Sequence, residues 1–213
     1  MKKLIISTLA VLALTTTAYA TDLPSKNKAP VPTPAPVAAE STDSISLSYG
    51  QDDAQNFGNK IDDSYTIGYT HKLGAGFSVG GIANLTNNTA NATSNYAEAQ
   101  AGYALPAFAG VTLSGKVGVG ERFTQGTDYA YYTVYGNADY KVMDKLTWNA
   151  VQYRWRSPFD TASYSWQSNQ IGTGVTYDIT NNLSVNAKVY RQWDGTFANV
   201  TQDGFGLGVT VKF

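Results

Sequence analysis

The chain has no cysteine, one histidine and few charged residues. Charged side chains make up 15% of its 213 residues, against about a quarter in an ordinary soluble domain. The absence of cysteine excludes disulfides and argues against a thiol or zinc site. The 15 basic and 16 acidic residues nearly balance, and no basic block indicates a nucleic-acid partner.

The first 20 residues carry the three parts of a secretory signal peptide. Lys2 and Lys3 precede an apolar run, and the segment ends in "AYA", which has the small-x-small form of a cleavage site. The run is too short to span a bilayer as a helix, and no long apolar run follows it. The sequence therefore predicts a signal peptide over residues 1–20 and a mature chain that begins at Thr21.

Residues 21–42 hold five of the seven prolines. Proline cannot donate a backbone hydrogen bond to a sheet, so this Pro/Ala-rich stretch is predicted to be an extended, polyproline-like periplasmic tether. It is either a spacer or a segment that contacts a periplasmic partner or the cell wall. The folded domain is then expected over residues 43–213.

From residue 43 onward, apolar residues recur at every second position, which is the period of a β-strand. Ten such segments are found, at 43–50, 63–73, 77–86, 95–105, 111–121, 130–142, 145–156, 168–179, 183–193 and 203–213. This pattern predicts an all-β, antiparallel up-and-down transmembrane β-barrel of about ten strands. Eight or twelve strands are the alternatives, because the first segment is short.

The connections between these segments alternate in length. Tight turns such as "GAG" (74–76) and "MD" (143–144) follow the even-numbered strands, and longer polar loops follow the odd-numbered ones. A transmembrane barrel has this asymmetry, with short periplasmic turns and longer outer loops. Aromatic residues near both ends of the apolar face are typical of the two membrane interfaces. These features favour a membrane barrel over a soluble β-sandwich.

One predicted strand breaks its own alternation. In "KLTWNAVQYRWR" the apolar set changes from even positions, such as Trp148, to odd positions, such as Trp155. One extra residue in a strand flips the faces of all later side chains. A β-bulge near Ala150–Val151 is therefore predicted, which directs Arg154 and Arg156 into the lumen. The alternative is that the even-numbered apolar set fills the turn end of the lumen.

Taken together, the sequence resembles the small outer-membrane β-barrel (porin-like) proteins of Gram-negative bacteria. The resemblance rests on the signal peptide, the tether that begins "DLPSK", hairpins such as "YKVMDKLTW" and the final "VTVKF". It implies an outer-membrane location, with lipid and lipopolysaccharide around the barrel. It also implies that the barrel-assembly machinery recognises the C-terminal strand. The outward residues of that closing strand are Phe205, Leu207, Val209, Val211 and Phe213.

Inward positions carry nearly all the charge of the predicted strands. The lumen-lining candidates are Glu98, Lys116, Asp139, Arg154, Arg156 and Lys188. They form either an ion-pair network across adjacent strands, with Glu98 bound to Lys116, or the charged wall of a pore that sets its ion preference. Inward glycines such as Gly204 leave an open vestibule or make room for large neighbours such as Tyr190.

No catalytic residue, metal site or cofactor is expected. Ten-stranded outer-membrane proteases use a histidine at the outer rim, whereas His71 is predicted to point outward beside a turn, with no nucleophile in reach. The acidic stretch "QDDAQNFGNKIDD" (51–63) is interpreted as solvated loop charge, since its spacing matches no calcium loop. The predicted role is a narrow passive pore for small hydrophilic solutes or a structural envelope component. The alternatives are an adhesion protein that binds through its outer loops and, more distantly, an omptin-like hydrolase.

Overall fold

The computed structural model of the chain describes residues 43–88, 94–160 and 166–213. The strands are β1 (Asp43–Asp53), β2 (Lys60–Gly74), β3 (Phe77–Asn88), β4 (Ser94–Ala104), β5 (Val111–Thr124), β6 (Tyr129–Met143), β7 (Leu146–Pro158), β8 (Ser168–Asp178), β9 (Leu183–Asp194) and β10 (Val200–Lys212). Within these residues no helix is long and apolar enough to cross a membrane. The predicted signal peptide and tether lie outside the described residues and stay predictions.

The strands form a closed antiparallel barrel in which β10 pairs with β1. The register runs from Ser44 opposite Lys212 to Asp53 opposite Asp203. The last residue takes part, because the Phe213 amide donates to the carbonyl oxygen of Asp43 at 2.9 Å. Closure satisfies backbone groups that an open edge would expose to lipid. The predicted ten strands and the closing role of the last one are confirmed.

The outer face of the barrel is apolar and exposed. Leu47 and Leu85 expose 59% and 61% of their surface. Among the described residues, the only buried hydrophobic side chains are Tyr129 and Tyr131, and both point inward. This distribution is the reverse of that in a soluble domain. It matches a barrel whose apolar band is solvated by lipid tails.

Aromatic rings pack in pairs near both rims of the outer face. Phe77 and Tyr103 lie 4.7 Å apart between ring centroids near the turn end. Tyr132 and Trp155 lie 5.2 Å apart near the loop end. Amphipathic rings are favoured at both boundaries of a bilayer. The prediction of a membrane barrel, as opposed to a β-sandwich, is confirmed.

The bulge predicted near Ala150–Val151 is present in β7. Val151 and Asn149 pair with consecutive residues of β6, so Ala150 has no partner there. The register toward β8 shifts at the same place. As a result Trp148 lies on the outer face, 48% exposed, whereas Arg156 is buried inside at 4%. The alternative, in which the even-numbered apolar set fills the lumen, is wrong.

The strands are longer at the loop end than predicted. β1 continues to Asp53, β2 starts at Lys60 and β5 continues to Thr124, so residues 51–53 and 60–62 belong to the wall instead of a loop. The difference in length between turns and loops is correspondingly smaller. The turn after β2 remains tight, since Gly74, Ala75 and Gly76 all adopt positive φ values (89°, 49° and 86°).

Candidate functional site: the charged lumen

All six predicted lumen residues occupy inward positions of the barrel. Arg154, Arg156 and Lys188 lie around a polar cavity of about 140 Å³ in the loop-side half of the lumen, which we call the loop-side cavity. Glu98, Lys116 and Asp139 lie outside its lining. Its other charged lining residues are Asp52, Asp62 and Arg122. The volume is several times the ~10–15 Å³ that one water needs by this type of measure.

The Arg156 guanidinium lies between two aromatic rings. Its Cζ is 4.5 Å from the ring centroid of Tyr96 and 4.6 Å from that of Tyr131. Desolvated cation–π contacts of this kind contribute about 2 kcal/mol. Its Nε and Nη2 atoms are nevertheless buried without a hydrogen-bond acceptor, as is the Nε of Arg154. The rings therefore fix the position of the charge and leave hydrogen-bond donors open.

Arg154 and Lys188 are held by neutral neighbours. Arg154 Nη2 donates to Gln192 Oε1 at 2.7 Å. Lys188 Nζ lies 5.4 Å from the centroid of the Tyr190 ring. Neither forms an ion pair within 4.0 Å among the described residues. The positive charges of Arg154 and Lys188 are thus not neutralised by a direct ion pair.

The acidic side of the cavity comes from the ends of β1 and β2. Asp52 lies opposite Asp62 in the β1–β2 register. The Tyr190 hydroxyl donates to Asp52 Oδ1 at 2.5 Å, whereas Asp62 Oδ1 is buried without a hydrogen-bond donor. The interpretation of residues 51–63 as solvated loop charge is therefore wrong for these two residues. The signal that sequence reasoning missed is their even numbering, which continues the inward phase of Gly50 and Ser64.

Glu98 lies outside this cavity and is 4% exposed. Its Oε1 accepts hydrogen bonds of 2.8 Å from the Tyr135 hydroxyl and from Gln100 Nε2. No contact of 4.0 Å or less joins it to Lys116, so the ion pair expected between them is not formed. Neutral donors on its own strand and on β6 hold the carboxylate instead.

Asp139 lies nearer the turn end of the lumen and is also held by an amide. Asn149 Nδ2 donates to Asp139 Oδ1 at 2.8 Å, and Asn149 Oδ1 accepts from the Thr176 hydroxyl at 2.9 Å. These bonds link β6, β7 and β8 across the bulge. An uncharged chain of hydrogen bonds thus holds the Asp139 carboxylate.

Inward glycines lie beneath large side chains of the lumen. A methyl group on Gly120 would lie 2.8 Å from the Tyr131 ring, and one on Gly204 would lie 2.5 Å from the Tyr190 ring. One on Gly118 would lie 2.5 Å from both the Glu98 carboxylate and the Thr133 hydroxyl. Of the two uses considered for these glycines, the structure favours making room over forming a vestibule. The lumen is accordingly narrow.

The closing strand presents its apolar side outward. Leu207, Val209, Val211 and Phe213 are exposed on the outer face. Phe205 packs edge-on against Tyr49 of β1, with 6.3 Å between ring centroids. The outward face of β10, which the sequence predicts to contact lipid, therefore also packs against β1 where the barrel closes.

His71 lies on the outer face at the turn end, away from the lumen. Its Nδ1 is 2.9 Å from Asp43 Oδ1, and the Tyr69 hydroxyl donates to the same carboxylate. Among the described residues, no group of three or more Asp, Glu or His side chains is placed to hold a metal ion.

The exposed apolar exterior, the polar lumen and the backbone closure define an integral outer-membrane β-barrel protein. The sequence matches the family model described as the outer membrane protein beta-barrel domain over residues 6–213, and the chain belongs to that family. The barrel is thus located in the outer membrane of a Gram-negative bacterium, surrounded by its lipid and lipopolysaccharide. No curated protein matches the sequence.

Three solved structures are similar in fold. The KdgM porin is 16% identical over 80% of this chain and 99% of that chain, with a TM-score of 0.46. The translocator domain of the autotransporter NalP from Neisseria meningitidis is 10% identical over 81% and 88%, with a TM-score of 0.49. The anion-selective porin from Comamonas acidovorans is 13% identical over 81% and 56%, with a TM-score of 0.40.

Proposed function

We propose that the barrel is a narrow passive pore for small hydrophilic solutes and that it performs no catalysis. The observation that carries this proposal is a charged, polar inner face with a cavity at the loop-side end. Buried polar atoms of the inner face, including Glu98 Oε2 and the Tyr131 hydroxyl, have no hydrogen-bond partner in the protein. Such groups are costly unless they are hydrated, and a hydrated lumen is the minimum requirement of a pore.

The charge balance of the lumen favours anions. From the middle of the lumen to its loop-side end, the inward cations Lys116, Arg122, Arg154, Arg156 and Lys188 outnumber the carboxylates of Asp52, Asp62 and Glu98. Rings of charged side chains set the ion preference of a water-filled constriction. The pore therefore prefers anions over cations, and its conductance is small because side chains cover the glycines of the wall.

The position of the histidine supports the absence of catalysis. His71 is the one histidine of the chain, and it lies on the outer face with Asp43 and Tyr69. A general base needs a reacting group within hydrogen-bond reach, and lipid on that face offers none. Export by residues 1–20, a spacer over residues 21–42 and recognition of the C-terminal strand by the assembly machinery belong to the same proposal.

The test is a planar-bilayer recording of the purified protein. Discrete conductance steps and a reversal potential that favours chloride are expected in a KCl gradient. Arg154→Gln and Lys116→Gln should each reduce the preference for chloride, whereas Lys141→Gln should not. Lys141 is a suitable control because it is exposed at the opposite end, 3.7 Å from Asp144. Bilayers that stay silent would refute the pore and leave a structural envelope protein.

A further inference from the structure

Two pairs of like charges lie on opposite sides of the loop-side cavity. Arg154 and Arg156 are two residues apart on the same face of β7, and Asp52 and Asp62 are opposite each other on β1 and β2. All four line the cavity. β2 and β7 are five strands apart in either direction around the ring. The pairs therefore face each other across the lumen.

Neither pair is neutralised by direct contact. Among the described residues, no ion pair of 4.0 Å or less involves any of the four. Like charges held close together in a confined site repel each other unless they share a proton or a group of opposite sign lies close by. Arg122 and Lys188 also line the cavity and lie near the aspartates. The buried Arg156 keeps Nε and Nη2 without an acceptor, and Asp62 keeps Oδ1 without a donor. One side of the cavity thus has free donors and the other a free acceptor.

We infer that this cavity binds a small zwitterion of the amino-acid type. Its carboxylate binds to Arg154 and Arg156, because planar guanidinium groups match the geometry of a carboxylate. Its ammonium group binds to Asp52 and Asp62. An anion alone would leave Asp62 Oδ1 without a donor, and a cation alone would leave the buried donors of Arg154 and Arg156 without an acceptor. The inference rests on the proposed pore and deepens it by naming the class of solute.

The cavity suits a ligand of this size and polarity. Its volume of about 140 Å³ holds several waters or one small solute. Besides Arg122 and Lys188, the lining includes hydroxyl and amide side chains such as Ser64, Thr66, Ser168 and Gln170. They offer hydrogen bonds to a polar side chain such as that of serine.

The test compares three probes on the full-length barrel protein purified in detergent. Dissociation constants are measured by saturation-transfer NMR titration for L-serine, for acetate, which lacks the ammonium group, and for ethanolamine, which lacks the carboxylate. Serine should bind at least tenfold more tightly than either. Acetate or ethanolamine binding as tightly as serine, or no serine binding, would overturn the inference.

Variants separate the two sides of the cavity. Arg154→Gln and Asp62→Asn should each weaken serine binding about tenfold, and Asp62→Asn should leave acetate binding unchanged. Lys141→Gln is the matched control and should bind serine normally. A heat-modifiable gel shift verifies that each variant is folded, and Arg156→Gln replaces Arg154→Gln if that variant fails. Unchanged serine binding in folded Arg154→Gln or Asp62→Asn would overturn the site.

Binding in detergent does not depend on conductance, so the two proposals fail separately. Serine binding combined with silent bilayers would refute the pore and support the site. Conductance without serine binding would support the pore and refute the site.

Discussion

Gly204 of β10 lies directly beneath the ring of Tyr190 on β9. A methyl group on Gly204 would be 2.5 Å from Cζ of that ring and 2.7 Å from Oδ1 of Asp52. The ring can therefore lie flat against the wall only because residue 204 has no side chain. In this position its hydroxyl reaches Asp52 at 2.5 Å. A glycine of β10 thus determines, through a tyrosine of β9, the position of a carboxylate on β1.

Gly204→Ala should displace Tyr190 and break its hydrogen bond to Asp52. Overpacking of this kind costs about 1–3 kcal/mol, and the loss should appear as a lower urea midpoint of the barrel folded in detergent. Gly136→Ala is the control, since no atom lies within 4 Å of its missing side chain. Equal midpoints for both variants would show that the ring is free to move without cost.

Deletion of Ala150 should prevent folding of the barrel. Without the bulge, one half of β7 must present the wrong face, so that Arg154 and Arg156 enter lipid or Trp148 enters the lumen. A lipid-facing arginine costs about 2–4 kcal/mol at the bilayer midplane and less toward the interface. The lost packing and hydrogen bonds of half a strand add to this cost, and the sum is large against the roughly 5–15 kcal/mol by which a typical domain is stable.

Heat-modifiable gel mobility measures this effect, and the deletion should remove the folded band. Deletion of Gly126, which lies between β5 and β6 with open space around it, should leave the folded band in place. A normal folded fraction without Ala150 would mean that the register can be restored elsewhere in the strand.

Phe213→Ser should reduce assembly in cells more than folding in vitro. The backbone pairing of Phe213 with Asp43 does not depend on the ring, so refolding into detergent should stay near that of the wild type. If the assembly machinery recognises the terminal aromatic, the amount of barrel in outer membranes should fall severalfold. Phe108→Ser, at an exposed position of the β4–β5 connection, is the control. Equal outer-membrane levels of the two variants would argue against recognition of the ring.

Asp203→Asn should release the β1–β2 loop from the barrel wall. Asp203 is fully buried and accepts from Arg191 Nε at 2.6 Å, from Arg191 Nη2 at 2.8 Å and from the Asn56 amide at 2.6 Å. Loss of the charge weakens all three bonds. Proteolysis within residues 54–59 should then become roughly tenfold faster because the loop opens more often. Asp144→Asn, at the opposite end, should leave this rate unchanged.

The sequence by itself determined the architecture, because each face of a barrel strand meets a different solvent. Lipid outside and a polar lumen inside impose a period of two on every strand, and ten strands could be counted from that period. The same rule located the bulge at Ala150, since only one extra residue keeps Arg154 inside and Trp148 outside. It also assigned the inward positions of Glu98 and Lys116, which are fixed by parity alone.

Only the tertiary structure decided which inward residues meet. Parity gives the face of a residue but neither its height in the barrel nor the residue across the lumen, both of which depend on closure and register. The Glu98–Lys116 pair failed for this reason, since Tyr135 and Gln100 hold the carboxylate instead. Sequence reasoning missed Asp52 and Asp62 because the apolar outward residues stop before the strands end. The polar residues beyond that point were therefore interpreted as a loop. Their position opposite Arg154 and Arg156 follows from the closure of β10 onto β1, which brings residues distant in sequence around one cavity.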